Sequence, residues 1–97
     1  MSVYLVAVVD VHDPQEFRSY VTDVPPIVAK FGGRYLVRGG ELEVVEGQWP
    51  VPRVTVVEFP TMEQAKGWWN SEEYRPYREL RGRTARTNAV MVQGLAE

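Results

Sequence analysis

Five side chains stand out for the chemistry their types and neighbours permit: Arg38, Trp49, Asn70, Tyr74 and His12. Arg38 precedes Gly39-Gly40; glycines let backbone approach a ligand closely, and a guanidinium pairs with a carboxylate or steadies an enolate. The competing assignment is a turn whose glycines serve geometry, with Arg38 paired to Glu41 or Glu58. Asn70 and Tyr74 fall at the break between two C-terminal helical patterns. There Asn70 either bonds a substrate or finishes a helix on its last carbonyls, and Tyr74 either moves a proton or packs its ring and bonds backbone. His12, between Asp10 and Asp13, is the one side chain that ordinarily titrates near neutrality, a candidate base that also resembles a solvated loop histidine. Trp49, together with Trp68, Trp69, Tyr74 and Tyr77, offers aromatic surface to a flat organic ligand. Against that stands plain core packing for Trp68 or Trp69 and cover of a dimer edge by Trp49. Arg38, Trp49, Asn70 and Tyr74 are the ligand-binding candidates; Arg38, Tyr74 and His12 are the weaker catalytic ones.

Composition narrows the chemistry open to these residues. A length of 97 residues fits one domain, 1–97, with a modest core of its own. Zero Cys removes disulfides, thiolate catalysis, Cys-built zinc sites and iron–sulfur ligation, and a single His argues against an imidazole metal site. No metal and no cofactor is expected. The formal net charge of −2 argues against a general binder of the phosphate backbone. Arg75, Arg78, Arg81, Arg83 and Arg86 form a local basic run that reads as a solvated face, paired across a subunit boundary with Glu41, Glu43 and Glu46. Nucleic acid is not expected as a partner, because stacking aromatics are missing from the segment Arg53 to Phe59 except for Phe59 itself. Met1-Ser2-Val3 lacks a charged leader region and no apolar run suits a membrane span, so the expected setting is the cytoplasm, away from membranes. No phosphate-cradling glycine loop and no Ser-His-Asp spacing can be assembled.

The elements that must position these side chains follow from periodicity. Val3 to Asp10 is β-branched and aromatic and predicts a strand, apolar on both faces. Asp13-Pro14-Gln15-Glu16 opens a helix, and Phe17, Tyr20, Val21, Val24, Ile27, Val28 and Phe31 form its apolar stripe. Pro25-Pro26 should kink this helix or split it in two, and Gly32-Gly33 should stop it. Arg34 to Arg38 and Glu41 to Glu46 read as strand segments, with Gly39-Gly40 as a hairpin turn or a bulge between them. A proline-bounded loop, Gly47 to Pro52, leads to a strand over Arg53 to Phe59. Thr61-Met62-Glu63-Gln64 opens a further helix, Ser71 caps another unless Pro76 sets a later start, and Asn88 to Leu95 is the last strand. The order β-α-β-β-α-β is the split-βαβ, ferredoxin-like α+β arrangement: a four-stranded antiparallel sheet with helices on one face.

Such a sheet leaves its second face bare. Four strands of about six residues present about 400 Å². Leaving that area in water would forgo up to about 10 kcal/mol at about 25 cal/mol/Å². A second copy packed face to face removes the problem, so a homodimer through the sheet face is expected.

Several stretches together resemble one family. Gly32 to Gly40 (GGRYLVRGG), Glu43 to Gly47 with Trp49-Pro50, Val57 to Pro60, and Ala65-Lys66 with Trp68 to Ser71 and Glu73-Tyr74 are similar to the domain-of-unknown-function family 1330. The resemblance implies a homodimer of the dimeric α+β barrel superfamily. It supplies no activity, because the superfamily spans small monooxygenases, isomerases, heme-handling proteins and domains without known chemistry. Glu72 stands where proline is common, and Pro76 and His12 look particular to this chain. The expected function is the binding of a small aromatic or enolisable metabolite between sheet and helices, with cofactor-independent isomerase, cyclase or monooxygenase chemistry. The alternative is a non-catalytic ligand-binding or interaction module.

Overall fold

The computed structural model describes residues 2–49, 51 and 53–95. Strand β1 (Val3–Val11) leads into helix α1 (Pro14–Lys30), strand β2 (Arg34–Arg38), strand β3 (Val54–Phe59), helices α2 (Met62–Trp69) and α3 (Arg75–Thr84), and strand β4 (Ala85–Gln93). The sheet order is β2-β3-β1-β4, and every neighbouring pair is antiparallel. β3 is thus inserted between β1 and β2, which is the split βαβ expected from the element order.

Capping residues act where the sequence places them. Asp13 accepts a hydrogen bond from the Glu16 amide at the start of α1, and Thr61 accepts one from the Gln64 amide at the start of α2, each satisfying an orphan helix donor. Ser71 bridges α2 and α3, donating to the Trp68 carbonyl and accepting from the Tyr74 amide. α3 itself begins at Arg75, with Pro76 in its first turn, the later start that the proline demands. Gly32 ends α1 in the left-handed region at φ +84.

The structure resolves one open alternative and corrects three expectations at element level. Pro25 and Pro26 do not split the first helix, which runs unbroken from Pro14 to Lys30. Glu41 to Glu46 is not a strand: the chain is irregular and exposed there, because strand propensity describes a fit to a pleated surface and no neighbouring strand is present to pair with it. Gly39-Gly40 is therefore neither a hairpin turn nor the bulge; the bulge lies earlier, within β2. Pro50 and Pro52 of the expected loop lie outside the described residues. β4 also starts earlier than the apolar pattern predicts, directly after α3 at Ala85.

Val3, Leu5, Ala7 and Val9 of β1 are buried against the helices. The alternate set faces the other way: Tyr4, Val6 and Val8, with Glu58, Val56 and Val54 of β3 on one side and Val92, Val90 and Asn88 of β4 on the other. Val90 is 60% and Val92 50% exposed. Under the helices the apolar side chains fall into two clusters, one around Val3, Val24, Phe59, Trp68 and Tyr74, the other around Ala7, Val9, Phe17 and Ala85. Tyr20 of α1 packs against both. No helix among the described residues is long and apolar enough to cross a membrane.

Candidate functional site

A cavity of about 40 Å³ lies at the seam between the two clusters. Its floor is made of small side chains: Ala7 of β1 stands directly opposite Thr55 of β3, so the helix face of the sheet has a low point under α1. Leu5, Val57, Phe17 and Trp68 supply apolar walls, and Tyr20, Tyr35, Arg38, Arg53 and Arg81 supply polar ones. Three guanidinium groups thus line the space, and among the described residues no carboxylate or imidazole lines it.

Arg38 reaches the cavity because of an irregularity in β2. Arg34 pairs with Glu58 and Tyr35 with Val57, but Val37 pairs with Val56 and Arg38 with Thr55, so Leu36 is an extra residue. A regular strand would place Arg38 opposite Val54, on the bare face; the one-residue slip turns it to the helix side. Its guanidinium lies 5.1 Å from the Tyr35 ring centroid and its Nη2 donates to the Val21 carbonyl of α1. That carbonyl is available because Pro25, four residues on, has no N–H to offer it. The proline pair inside α1 therefore creates the acceptor that holds Arg38 at the cavity. Arg38 is the one exposed residue of the lining, which puts the mouth beside it.

Behind the mouth the hydroxyls of Tyr20 and Tyr74 meet at 2.5 Å. Tyr74 is fully buried, its ring 4.1 Å from that of Trp68. Burial first, and the neighbouring Tyr20 second, push its ionisation far above the ordinary tyrosine range, so it stays protonated and serves as a hydrogen-bonding group, not a base. Burial likewise pushes Tyr35 up to about 12. Arg81 is only 8% exposed; its guanidinium lies over the rings of Trp69 and Tyr20 at 5.2 and 5.9 Å. The indole nitrogen of Trp68 is buried with no hydrogen-bond partner among the described residues.

The sequence-derived candidates separate in space. Arg38 lines the cavity, and Tyr74 supports it through Tyr20. Asn70 is exposed at the end of α2, where its amide donates to the Lys66 carbonyl. It borders an open groove between α2 and β4 with Lys66, Trp69 and Met91. Trp49 is half exposed and borders a shallow surface hollow with Leu42 to Glu46. His12 is exposed at the β1–α1 junction, where its amide donates to the Thr84 carbonyl. None of these three lines the cavity. The wall residues that sequence reasoning passes over are Tyr20, Tyr35, Arg53 and Arg81. The expectation that Arg81 belongs to a solvated basic face is overturned by its burial. It falls seven residues after Tyr74 and four after Tyr77, on the stripe that α3 buries, and that heptad offset is the signal that marks it.

Two measurements follow from this geometry. Pro25→Ala supplies an N–H that competes with Arg38 for the Val21 carbonyl. The regained helix bond, about 1 kcal/mol, is offset by about 0.4–1 kcal/mol of added unfolded-chain entropy. Thermal stability should therefore change little while the Arg38 side chain gains mobility in 15Nε relaxation. Tyr35 holds its proton up to about 12, against 10.0 for the free side chain. The unfolded chain therefore releases that proton first, and the stability this tyrosine adds, complete below pH 10, is lost as pH rises toward 12. Urea midpoints of Tyr35→Phe should fall less steeply than wild type across that window.

No curated protein matches the chain. Among solved structures it is similar to a protein of unknown function from Rhodopseudomonas palustris (TM-score 0.79, 14% identity, 99% of this chain and 84% of that one). It is also similar to SnoaB, a cofactor-independent oxygenase from Streptomyces nogalater (TM-score 0.66, 12% identity, 99% and 95%). A third is a candidate antibiotic biosynthesis monooxygenase from Nitrosomonas europaea (TM-score 0.59, 16% identity, 99% and 100%). At these identities the likeness establishes the fold, the ferredoxin-like arrangement of the dimeric α+β barrels. The sequence profile described as Domain of unknown function (DUF1330) matches residues 2–95, nearly the whole chain, and the protein belongs to that family.

Proposed function

We propose that this protein is a cytoplasmic homodimer that binds a small organic molecule in the cavity between sheet and helices and stabilises negative charge on it. The observation carrying this reading is the lining itself: three arginines with Tyr20 and Tyr35 surround an otherwise apolar space at the seam of the core. Apolar walls with a few convergent polar groups are the usual form of a ligand site. Arg38, held at the mouth by the Val21 carbonyl, steadies an enolate oxygen, protonated Tyr35 donates to the same developing charge, and the α-proton passes to solvent water at the mouth. This is the chemistry of a cofactor-independent isomerase, cyclase or oxygenase, and the structural likeness to SnoaB is in keeping with it.

A second reading is favoured by one feature. The lining residues include no carboxylate or imidazole to take a proton, which suits a binding module without catalysis. Incubating the protein with a panel of enolisable 2-oxo acids and aromatic ketones in D₂O separates the two. An enzyme should speed α-proton exchange, read by NMR, and Arg38→Ala should reduce that rate at least tenfold. Ligand-induced thermal shifts without exchange would favour the binding module, and no shift with any compound would remove both.

The dimer is supported by the apolar open face, where Val6 stands opposite Val56 and Val90. A contact over this face removes the exposed side chains of Val37, Val90 and Val92 from water. Light scattering should give twice the chain mass of 11.1 kDa, and Val90→Glu should reduce it toward the single-chain value with helix content retained.

A further inference from the structure

We infer that the group entering the cavity is the carboxylate of a small organic acid, anchored by Arg81 and completed by Arg38. This rests on the cavity being the ligand site and adds the chemical class of the ligand and the residue that selects it. Arg81 is nearly fully buried yet forms no ion pair among the described residues. Its one side-chain hydrogen bond, from Nη1 to the Tyr20 hydroxyl, is long at 3.4 Å. The aromatic faces of Trp69 and Tyr20 partly offset the loss of water around the charge. A guanidinium carries five N–H donors, so most of this one's capacity is unspent in a buried place.

The other polar groups of the wall favour the same partner. Arg38 and Arg53 add two further positive charges, and no wall residue is acidic. The complement of such a wall is anionic, rich in acceptors and planar, and a carboxylate meets a guanidinium through two parallel hydrogen bonds. The cavity is small, about 40 Å³, so it admits a head group and not the body of the molecule that carries it. The rest of the acid leaves through the mouth past Arg38.

The test compares pyruvate and benzoate with pyruvamide and benzamide, adding each to the 15N-labelled full chain and following the Trp68 indole and Arg81 side-chain resonances. The acids should shift both resonances and bind at least tenfold more tightly than the amides. Arg81→Gln should lose at least tenfold in affinity for the acids, while Arg81→Lys, which keeps the charge, should recover part of it. Circular dichroism on both variants separates lost binding from lost fold, and if Arg81→Gln does not fold, the acid–amide comparison on the wild type decides. Equal binding of acids and amides would overturn the carboxylate while leaving the cavity as the ligand site. Stronger shifts with inorganic phosphate would overturn it too. If no compound perturbs Trp68, the ligand site itself falls, and this inference with it.

Discussion

A four-stranded sheet whose strands are apolar on both faces meets three helices that reach only one of them, and this imbalance organises the molecule. On the covered side Val3, Leu5, Ala7 and Val9 of β1 are buried beneath α1, α2 and α3. On the open side Val6, Val54, Val56, Val90 and Val92 form a continuous apolar surface. All three helices lie on one side, so the polar groups of the cavity collect there and the other face stays apolar and open.

On the covered side the core is not uniform. Large aromatic side chains, Phe59, Trp68 and Tyr74, fill one end, and Phe17 fills the other. Between them Ala7 and Thr55 are too short to reach the helices, and the space they leave is lined by guanidinium and hydroxyl groups. Two departures from regular geometry bring Arg38 there. The bulge at Leu36 turns it to the helix side, and Pro25 leaves the Val21 carbonyl free to receive it. Each departure costs a ladder or helix hydrogen bond, and together they produce one well-placed cation.

What this chain shares with similar solved structures is architecture. The protein shares its fold with a cofactor-independent oxygenase at 12% identity, and fold by itself does not transmit chemistry. In this chain a nearly buried arginine stacked on two aromatic rings stands in the cavity wall.

Much of the fold was legible in the residues. Asp13 and Thr61 mark helix starts, Gly32 marks a helix end, and the two-faced apolar pattern of β1 calls for cover on both sides; these are local effects of capping, backbone freedom and periodicity. Of the site, Arg38 was legible because it stands beside glycines, and Tyr74 because it stands at a helix break. Arg81 was passed over as one arginine in a basic run, although its offset from Tyr74 and Tyr77 puts it on the stripe that α3 buries. Glu41 to Glu46 misled for the converse reason: its residues suit a strand, but a strand requires a partner. Apart from Glu41 to Glu46, the sequence by itself determined the order and type of the elements, because helix and strand periodicity are local. Only the tertiary structure decided which side chains face the cavity, because a one-residue slip in β2 and a carbonyl freed by a proline act between segments far apart in the chain.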